Sequence, residues 1–274
     1  MRLGIFAKTF AGTDPQTVLT HVKAAGFDLA QYNMACSGLD AMPAQIDAGL
    51  AQVVHDASIK TKVDIAAVSG TYNMIHPDVA KRQEGHARLA VLAEKCAAMG
   101  TSLITLCTGT RDAADQWRHH PDNNSTAAWA DLLASMAIAL AIAEKHHVTL
   151  GIEPELANVV NSAAKARSLL DHFKSPRLKI IFDAANLFEI ETLEDQRRII
   201  AQAIDLLGPD LIMAHAKDRN ADGSFATAGK GVLDFQHYIV CLRALDFKGP
   251  LVTHGLAAAE ASDVANYLKT IVGD

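Results

Sequence analysis

The chain has 274 residues, of which 50% are hydrophobic, and its formal net charge at pH 7 is -6. This length suits one or two domains with a large buried core, and the negative charge, with no block of Lys and Arg, disfavours a nucleic-acid partner. The four cysteines, Cys36, Cys96, Cys107 and Cys241, have no paired spacing, so the sequence indicates neither a disulfide framework nor a zinc ribbon and predicts a protein of the reducing cytoplasm.

Eight short apolar segments with the composition of β-strands follow one another along the chain. In chain order they are RLGIFAK, FDLAQYN, KVDIAAVS, SLITLCT, VTLGIEP, LKIIFDA, LIMAHAK and PLVTHG. The first is too short in its apolar part to be a signal peptide, and no apolar run approaches the length that spans a membrane. We therefore expect a soluble protein without a membrane partner.

Segments with helical periodicity separate these strands. In chain order they are DPQTVLTHVKAAG, MPAQIDAGLAQVVHDAS, HARLAVLAEKCAAMG, AAWADLLASMAIALAIAEKHH, SAAKARSLLDHF, LEDQRRIIAQAIDLLG, DFQHYIVCLRALDF and ASDVANYLKTIV. The first has Asp14 as its cap, Pro15 at its first position and Gly26 at its end. Strict alternation of strand and helix predicts parallel strands, and eight units without a linker predict a single (β/α)₈ TIM barrel, one domain over residues 1–274. An open doubly wound sheet is the alternative fold, although no GxGxxG follows the first strand.

The predicted connections differ in length according to their direction. Links from a helix to the next strand are brief, as in AAGFD and DFKGP. Three links from a strand to the next helix are long: SGTYNMIHPDVAKRQ, CTGTRDAADQWRHHPDNNST and KDRNADGSFATAGKGVL. Because the active site of a TIM barrel is built from the strand-to-helix loops, these long polar loops predict a working face at the carboxyl ends of the strands.

Four consecutive strands place a potential metal ligand where apolar sequence gives way to loop. Glu153 ends strand five, Asp183 strand six, His215 strand seven and His254 strand eight. A barrel gathers these ends around its axis, and two carboxylates with two imidazoles suit a divalent cation such as Mn²⁺, Zn²⁺, Co²⁺ or Mg²⁺. A bound cation would also compensate the charges of Glu153 and Glu155, which follow an otherwise apolar strand.

Each of these residues also has an ordinary structural interpretation. An Asp at a strand end is commonly a helix cap, and a His on an apolar strand is commonly a hydrogen-bonded core residue. Glu153 is harder to explain in this way, because capping favours Asp and Pro154 prevents an ordinary helix start beside it. Since the structural interpretation needs four coincidences at one level of the barrel, we favour the metal site.

Several short motifs lie at the carboxyl ends of the predicted strands: SGTYNMIHPD after strand three, GIEPE on strand five, FDAAN on strand six, HAKDR on strand seven, and GKG before the seventh helix. Together they make the whole chain resemble the xylose-isomerase-like TIM-barrel superfamily, the sugar phosphate isomerase and epimerase family that also contains family-two AP endonucleases. The resemblance implies that Glu153, Asp183 and His215 hold a divalent metal.

Two positions depart from the family pattern. Epimerases of the family place a second Glu on strand eight, where this chain has His254, which can ligate a metal when neutral or act as a base. The strand-six pattern of the family often runs Asp-x-x-His and here ends in Asn186, which can bond a hydroxyl but cannot carry a proton. These departures put the symmetrical two-Glu proton transfer of an epimerase in doubt.

The resemblance implies chemistry in which a metal polarises neighbouring hydroxyl and carbonyl oxygens of a sugar, while a proton or hydride moves between adjacent carbons through an enediolate or alkoxide. The catalytic candidates are Glu153, Glu155, His254 and Lys217. Glu155 shares strand parity with Glu153 and is either a base or substrate binder, or a solvated acid of the rim. Lys217 either stabilises an oxyanion or covers the barrel mouth, and Asp218 orients His215 or holds a second metal.

The substrate-binding candidates are Tyr72, Asn73, His76, Trp117, Asn186 and Arg219. The first three lie on the loop after strand three, where recognition of hydroxyl groups is expected. Trp117 lies on the long fourth loop, which is either a lid that stacks on the sugar or an ordinary packed loop. The segment AGKG lacks the full phosphate-loop pattern and is more often a turn than a phosphate cradle, so the phosphorylation state of the sugar stays open.

The leading interpretation is a metal-dependent isomerase or epimerase acting on a small carbohydrate substrate. The missing second Glu also leaves room for a metal-dependent lyase or dehydratase, and a non-catalytic sugar-binding relative is a third alternative. A DNA-repair nuclease would need more His and acidic ligands and a basic groove, and an amidohydrolase would need His-x-His on strand one. The sequence names neither the sugar nor the metal, and assembly into a homo-oligomer is compatible with it.

Overall fold

The computed structural model describes residues 1–273, in which eight parallel strands close into a barrel. The barrel strands are β1 Leu3–Phe6, β2 Leu29–Tyr32, β3 Asp64–Ser69, β4 Leu103–Leu106, β5 Thr149–Ile152, β6 Leu178–Asp183, β7 Leu211–Ala216 and β8 Leu251–Thr253. Consecutive strands are hydrogen-bonded neighbours, and β8 pairs with β1 to close the ring. A separate two-residue antiparallel ribbon, Asp218–Arg219 with Phe225–Ala226, lies in the loop after β7.

Eight helices alternate with these strands, which confirms the predicted (β/α)₈ TIM barrel. They are α1 Pro15–Ala24, α2 Ala48–Thr61, α3 Val79–Cys96, α4 Thr126–His146, α5 Ala163–Phe173, α6 Leu193–Leu207, α7 Phe235–Ala244 and α8 Ala261–Val272. The first begins as its sequence predicts, because the Asp14 carboxylate accepts a hydrogen bond from Thr17 N at 2.8 Å and Pro15 occupies the first helical position.

Two helices begin at different residues from those predicted. The helix α3 begins at Val79 rather than His86, because the Asp78 carboxylate accepts a hydrogen bond from Ala80 N at 2.8 Å and caps the helix seven residues earlier. The helix α2 begins at Ala48 rather than Met42, with the Asp47 carboxylate as its cap. The loop after β3 is correspondingly shorter than its sequence indicates.

The helix α4 reaches the length and composition of a membrane-spanning helix, with a mean hydropathy of 1.7 over its best 18-residue window. The prediction that no apolar run is long enough to span a membrane is therefore wrong for this segment. In the folded protein this helix packs beside α3 and buries one face, which includes Leu132, Met136 and Leu140. Core helices of large domains share this composition.

The interior of the barrel is filled by a layer of apolar side chains from five strands: Ala67, Leu103, Ile181, Met213 and Val252. A second and larger core lies between the strands and the surrounding helices. The interior layer closes the amino-terminal part of the barrel, so the barrel is a packed core rather than a pore. Side chains that follow this layer on the same strands must lie above it, at the carboxyl ends.

Candidate metal centre

The candidate site lies next to the interior apolar layer, two residues further along each strand toward its carboxyl end. Because side chains on a strand alternate between faces, a residue two positions after an interior residue lies on the same inner face. Asp183 follows Ile181 in this way, His215 follows Met213, and His254 follows Val252. The two-residue step explains why polar side chains can follow apolar ones on the same face of three neighbouring strands.

Four potential metal ligands converge at this level: Glu153, Asp183, His215 and His254, with one ligand atom of each lying within 4.8 Å of the others. Glu153 Oε1 lies 3.1 Å from His215 Nδ1, and Asp183 Oδ2 lies 3.1 Å from His254 Nε2. The Asp183 side chain is fully buried, and the His215 side chain is 1% exposed. Two carboxylates and two imidazoles gathered this closely form a donor set that fits a divalent cation.

The protonation states in the cluster favour metal ligation. Burial alone would raise the pKa of the Asp183 carboxyl, but the Lys217 ammonium and the hydrogen bond with His254 outweigh burial and lower it. Burial lowers the pKa of His254 despite its hydrogen bond with Asp183. Near neutral pH the cluster therefore presents an ionised carboxylate beside a neutral imidazole, which is the state in which both groups bind a cation.

A short chain of hydrogen bonds links Lys217 to Glu153. The Lys217 ammonium, which is buried, donates to Asn186 Oδ1 at 2.6 Å, and Asn186 Nδ2 donates to Glu153 Oε1 at 2.8 Å. The same ammonium lies 3.5 Å from Asp183 Oδ2. The positive charge of Lys217 therefore lies beside Asp183, is linked to Glu153 through Asn186, and lines the same cavity.

Glu155 also lines the cavity, but it is not among the four converging ligands. Burial, reinforced by the charge of the neighbouring Glu153, raises the pKa of Glu155 to about 7. The cavity thus contains a carboxyl group that can either accept or donate a proton near neutral pH. Cys107 lies in the same wall, and burial raises the pKa of its thiol, which keeps it neutral and a poor nucleophile.

The cavity above the cluster has a volume of about 470 Å³, within the range of small-molecule sites. Its aromatic walls are Phe6, Trp117 and Phe225. Phe6 stacks on the His254 ring at a centroid distance of 4.5 Å, and Trp117 is half exposed at the mouth. Lys217 Nζ lies 3.6 Å from the centroid of the Phe225 ring, a cation–π contact.

The structure places three predicted substrate-binding residues outside the lining of this cavity. The Tyr72 ring packs against Gly85 of α3, where a Cβ atom would lie 2.2 Å from the ring. Asn73 Nδ2 donates to Thr110 O at 2.8 Å, and His76 Nε2 lies 3.1 Å from Ala113 O. Asn73 and His76 are thus occupied in joining the third loop to the fourth, the loop that carries Trp117.

Arg219 and Asp218 also have positions that differ from those expected. Arg219 is buried, donates through Nε to Ala185 O at 2.5 Å, and stacks 4.3 Å from the Phe225 centroid, so it supports the cavity wall from behind. The Asp218 carboxylate accepts hydrogen bonds from four backbone N–H groups, those of Arg219, Gly229, Gly231 and Leu233. It therefore fixes the AGKG loop instead of orienting His215 or a second metal.

The amide and hydroxyl groups at the floor of the cavity were not anticipated from the sequence. Gln31 of β2 is 3% exposed, and its Oε1 lies 3.0 Å from His215 Nε2. Its Nε2 donates to Ser69 Oγ and Thr105 Oγ1, both at 3.1 Å. The available signal was polarity within an apolar strand: Gln31 interrupts LAQY, and Thr105 interrupts LITL.

Comparison with known proteins places these features in context. The sequence profile of the family described as "Xylose isomerase-like TIM barrel" matches residues 19–271. A sequence search against proteins of curated function finds no match. Among solved structures, the 3-keto-D-glucoside 4-epimerase YcjR from E. coli superimposes with a TM-score of 0.78 at 19% identity, over 98% of this chain and 99% of the other.

Two further epimerase structures share the fold. The D-allulose 3-epimerase from Methylomonas sp. has a TM-score of 0.76 at 17% identity, covering 99% of this chain and 98% of the other. The D-psicose 3-epimerase from Clostridium cellulolyticum has a TM-score of 0.77 at 14% identity, with both chains covered completely. At these identities the similarity establishes a common architecture over the full length of each chain.

Proposed function

The chain belongs to the xylose isomerase-like TIM barrel family, and from this premise we propose that it is a metal-dependent isomerase or epimerase of a small sugar or sugar derivative. The observation that carries the proposal is the convergence of Glu153, Asp183, His215 and His254 beneath a cavity of sugar size. Solved structures with the same fold are epimerases of keto sugars and of a keto-glucoside. An isomerase would move a proton between adjacent carbons through an enediolate, or move a hydride directly, whereas an epimerase would remove a proton from one face of a carbon and add one to the opposite face.

The four converging residues would hold the cation, and their mixed nitrogen and oxygen donors suit Mn²⁺, Co²⁺ or Zn²⁺ better than an all-oxygen Mg²⁺ site. When bound, a divalent cation supplies Lewis acidity to neighbouring carbonyl and hydroxyl oxygens of the sugar. The lowered pKa values of Asp183 and His254 give these two groups the charges that ligation requires. A cation would replace the hydrogen bond between His254 Nε2 and Asp183 Oδ2.

The remaining groups of the cavity supply proton transfer and orientation. Glu155, with a pKa raised to about 7 by burial, removes a proton from one sugar carbon. In an isomerase it would return this proton to the neighbouring carbon, and in an epimerase a proton would reach the first carbon from the opposite face. Lys217 places its ammonium beside the oxygen on which negative charge develops. Asn186 lines the cavity and orients a hydroxyl through its amide, which is itself fixed between Lys217 and Glu153.

The half-exposed Trp117 and the Phe225 ring provide apolar faces for the carbon skeleton of the sugar. Asn73 and His76 contribute indirectly, because they fix the loop on which Trp117 lies. We therefore replace the initial assignment of these two residues as direct sugar contacts with a supporting role. Trp117 would cover the bound sugar and reduce the access of water.

A lyase or dehydratase acting on a keto sugar is the second candidate, and Glu155 is the observation that favours it. A carboxyl group with a pKa of about 7 is partly protonated at neutral pH and can donate its proton to a departing hydroxyl group. His254, which stands where related epimerases place a second Glu, is engaged with Asp183 as a neutral ligand. A single carboxyl group that transfers protons suits elimination, whereas epimerisation also needs a proton donor on the opposite face of the sugar.

One experiment separates these candidates. The purified protein is analysed for bound metal and then incubated in D₂O with ketohexoses and 3-keto-glucosides, with and without a chelator, and the products are followed by NMR. Deuterium incorporation with epimer formation, abolished by the chelator, supports the epimerase. Formation of an unsaturated ketone supports the lyase, and an inert protein that retains full metal and binds sugar supports a non-catalytic relative.

The cellular setting that fits this activity is the cytoplasm. Cys36, Cys96, Cys107 and Cys241 are all free thiols, as a reducing compartment requires. We propose that the protein acts there on a soluble carbohydrate, without a nucleic-acid or membrane partner. Sedimentation of the purified protein would establish whether it forms a homo-oligomer.

A further inference from the structure

Gln31 occupies an unusual position for an amide, inside the barrel and in contact with one of the candidate metal ligands. It is 3% exposed on β2, and its Oε1 lies 3.0 Å from His215 Nε2 on β7. The strands β1 and β8 separate β2 from β7 around the ring, so the contact crosses the interior of the barrel. Burial of an amide is costly unless its donors and acceptor are all satisfied.

The surroundings of Gln31 satisfy every polar atom of its amide. Its Nε2 donates to two hydroxyl groups, Ser69 Oγ on β3 and Thr105 Oγ1 on β4, each at 3.1 Å. Its Oε1 faces the imidazole of His215. Side chains of two neighbouring strands, β3 and β4, thereby hold the amide of Gln31 on β2 against the His215 ring.

We propose that Gln31 is a positioning residue that engages Nε2 of His215 and so keeps the other ring nitrogen, Nδ1, directed at the four-ligand cluster. The imidazole has only these two nitrogens, so a ring held at Nε2 presents Nδ1 to the cluster. Nδ1 lies 3.1 Å from Glu153 Oε1, on the side of the four-ligand cluster. The inference rests on the proposed function only in assigning Nδ1 to a cation.

The position of the ring matters because a turned or displaced imidazole would withdraw Nδ1 from the other three candidate ligands. Phe6 packs edge-on against the His215 ring at 5.3 Å, and the His254 ring does so at 4.7 Å, so the ring is held in place. An outer partner of this kind typically changes metal affinity by about 10–100-fold.

The first test reads the contact directly in metal-free protein. The ring nitrogens of ¹⁵N-labelled histidine report their hydrogen-bond partners, and the His215→Asn variant assigns the His215 signals. We expect Gln31→Met to shift the His215 Nε2 signal, because it removes the group that contacts this nitrogen. An unchanged Nε2 signal in folded Gln31→Met would overturn the inference, whether or not the protein binds metal.

The second test compares two substitutions of Gln31 with a matched control. Gln31→Met removes the partner of His215 Nε2 and should lower the affinity for Co²⁺ about 10–100-fold, while Gln31→Glu keeps an oxygen at this position and should keep most of the affinity. The control is Gln196→Met, because Gln196 is an equally buried glutamine on α6 outside the cavity lining. Thermal unfolding identifies a variant that fails to fold.

The outcomes separate this inference from the proposed function. Equal Co²⁺ affinity in the wild type and in folded Gln31→Met would overturn the positioning role while leaving the metal site intact. A wild-type protein that binds no divalent cation would overturn the proposed function, and the ¹⁵N comparison of metal-free wild type with Gln31→Met would still decide whether Gln31 holds the His215 ring.

Discussion

Asp183 and His215 are register partners on the adjacent strands β6 and β7, and their side chains lie at the same height inside the barrel. This pairing brings together two residues that are 32 positions apart in sequence. Asp183 also lies 3.1 Å from His254 Nε2 and 3.5 Å from Lys217 Nζ. The buried Asp183 carboxylate is thus in contact with nitrogen atoms of both His254 and Lys217. A substitution at any of these three residues therefore changes the surroundings of the other two.

The first prediction concerns metal retention. Glu153→Gln replaces an anionic ligand by a neutral amide and should lower the affinity for Mn²⁺ or Co²⁺ by more than the ~10–100-fold typical of an outer residue. The matched control is Glu155→Gln, two residues along the same loop and outside the four-ligand cluster, which should retain its metal. Calorimetric titration of the metal-free proteins measures both. Full metal content in Glu153→Gln would show that Glu153 is not a metal ligand.

The second prediction concerns proton transfer. Glu155→Gln cannot exchange a proton and should slow the exchange of the substrate carbon-bound hydrogen with solvent by about 100-fold or more, the usual contribution of a general base. The metal content should stay unchanged, since the Glu155 carboxyl lies outside the cluster. Deuterium incorporation from D₂O measures the rate, with the exposed Glu189→Gln as the control. Exchange at the wild-type rate would assign the base to another residue.

The third prediction concerns whether the loop that carries Trp117 covers a sugar bound in the cavity. The chain has two tryptophans, so Trp129→Phe leaves Trp117 as the sole indole reporter. Trp117 is 50% exposed, and a sugar held beneath it should shift its emission to shorter wavelengths by removing water from the ring. The expected shift saturates with sugar concentration. Unchanged emission at a sugar concentration that saturates turnover would show that this loop does not cover the substrate.

The fourth prediction concerns stability at the opposite end of the barrel. Asp210 lies beside Arg167 and Lys179, with oxygen-to-nitrogen distances of 2.9 and 2.8 Å. Burial alone would raise the pKa of Asp210, but the hydrogen bonds from Lys179 and Arg167 outweigh burial and lower it. Asp210→Asn should therefore reduce the free energy of unfolding at pH 7 by about 1–2 kcal/mol, measured by urea denaturation.

The pH dependence of this effect has a definite sign. Because the pKa of Asp210 is lower in the folded state, its contribution is complete above the unfolded value of about 3.9 and is lost as the pH falls through the folded pKa. The difference in free energy of unfolding between wild type and Asp210→Asn should be constant from about pH 8 to 5 and should decrease below about pH 4. The control is Asp171→Asn, whose exposed carboxylate shares Arg167 and should cost less than about 0.5 kcal/mol. If the difference in free energy of unfolding between wild type and Asp210→Asn increased on acidification, the pKa of Asp210 would not be lowered in the folded state.

The barrel and its four converging ligands could be predicted because both depend on periodicity along single strands. Apolar alternation locates each strand, and the transition from apolar to polar residues locates its carboxyl end, as at Asp183 and His254. The roles of Tyr72, Asn73 and Arg219 could not be read in this way. Their positions depend on contacts between loops that are distant in sequence, such as the bond from Asn73 to Thr110 O and the bond from Arg219 to Ala185 O.

For Gln31 the sequence marks the residue as unusual but does not identify its partners. Its polarity within LAQY marks it as unusual, but its partners Ser69, Thr105 and His215 come from three other strands. The register between β2 and β3 contains an irregularity between Ala30 and Gln31, which shifts the pairing by one residue. No pattern within a single strand specifies that shift, and therefore none specifies which inner side chains Gln31 contacts.

The Asp218 carboxylate has a consequence for anion binding at the mouth of the barrel. By accepting hydrogen bonds from the backbone N–H groups of Gly229, Gly231 and Leu233, it already supplies the negative charge that this glycine-rich turn could otherwise draw from a ligand. Lys230 of the same turn is paired with Glu260. Under the proposed function, we therefore do not expect this turn to bind a phosphate group of the substrate.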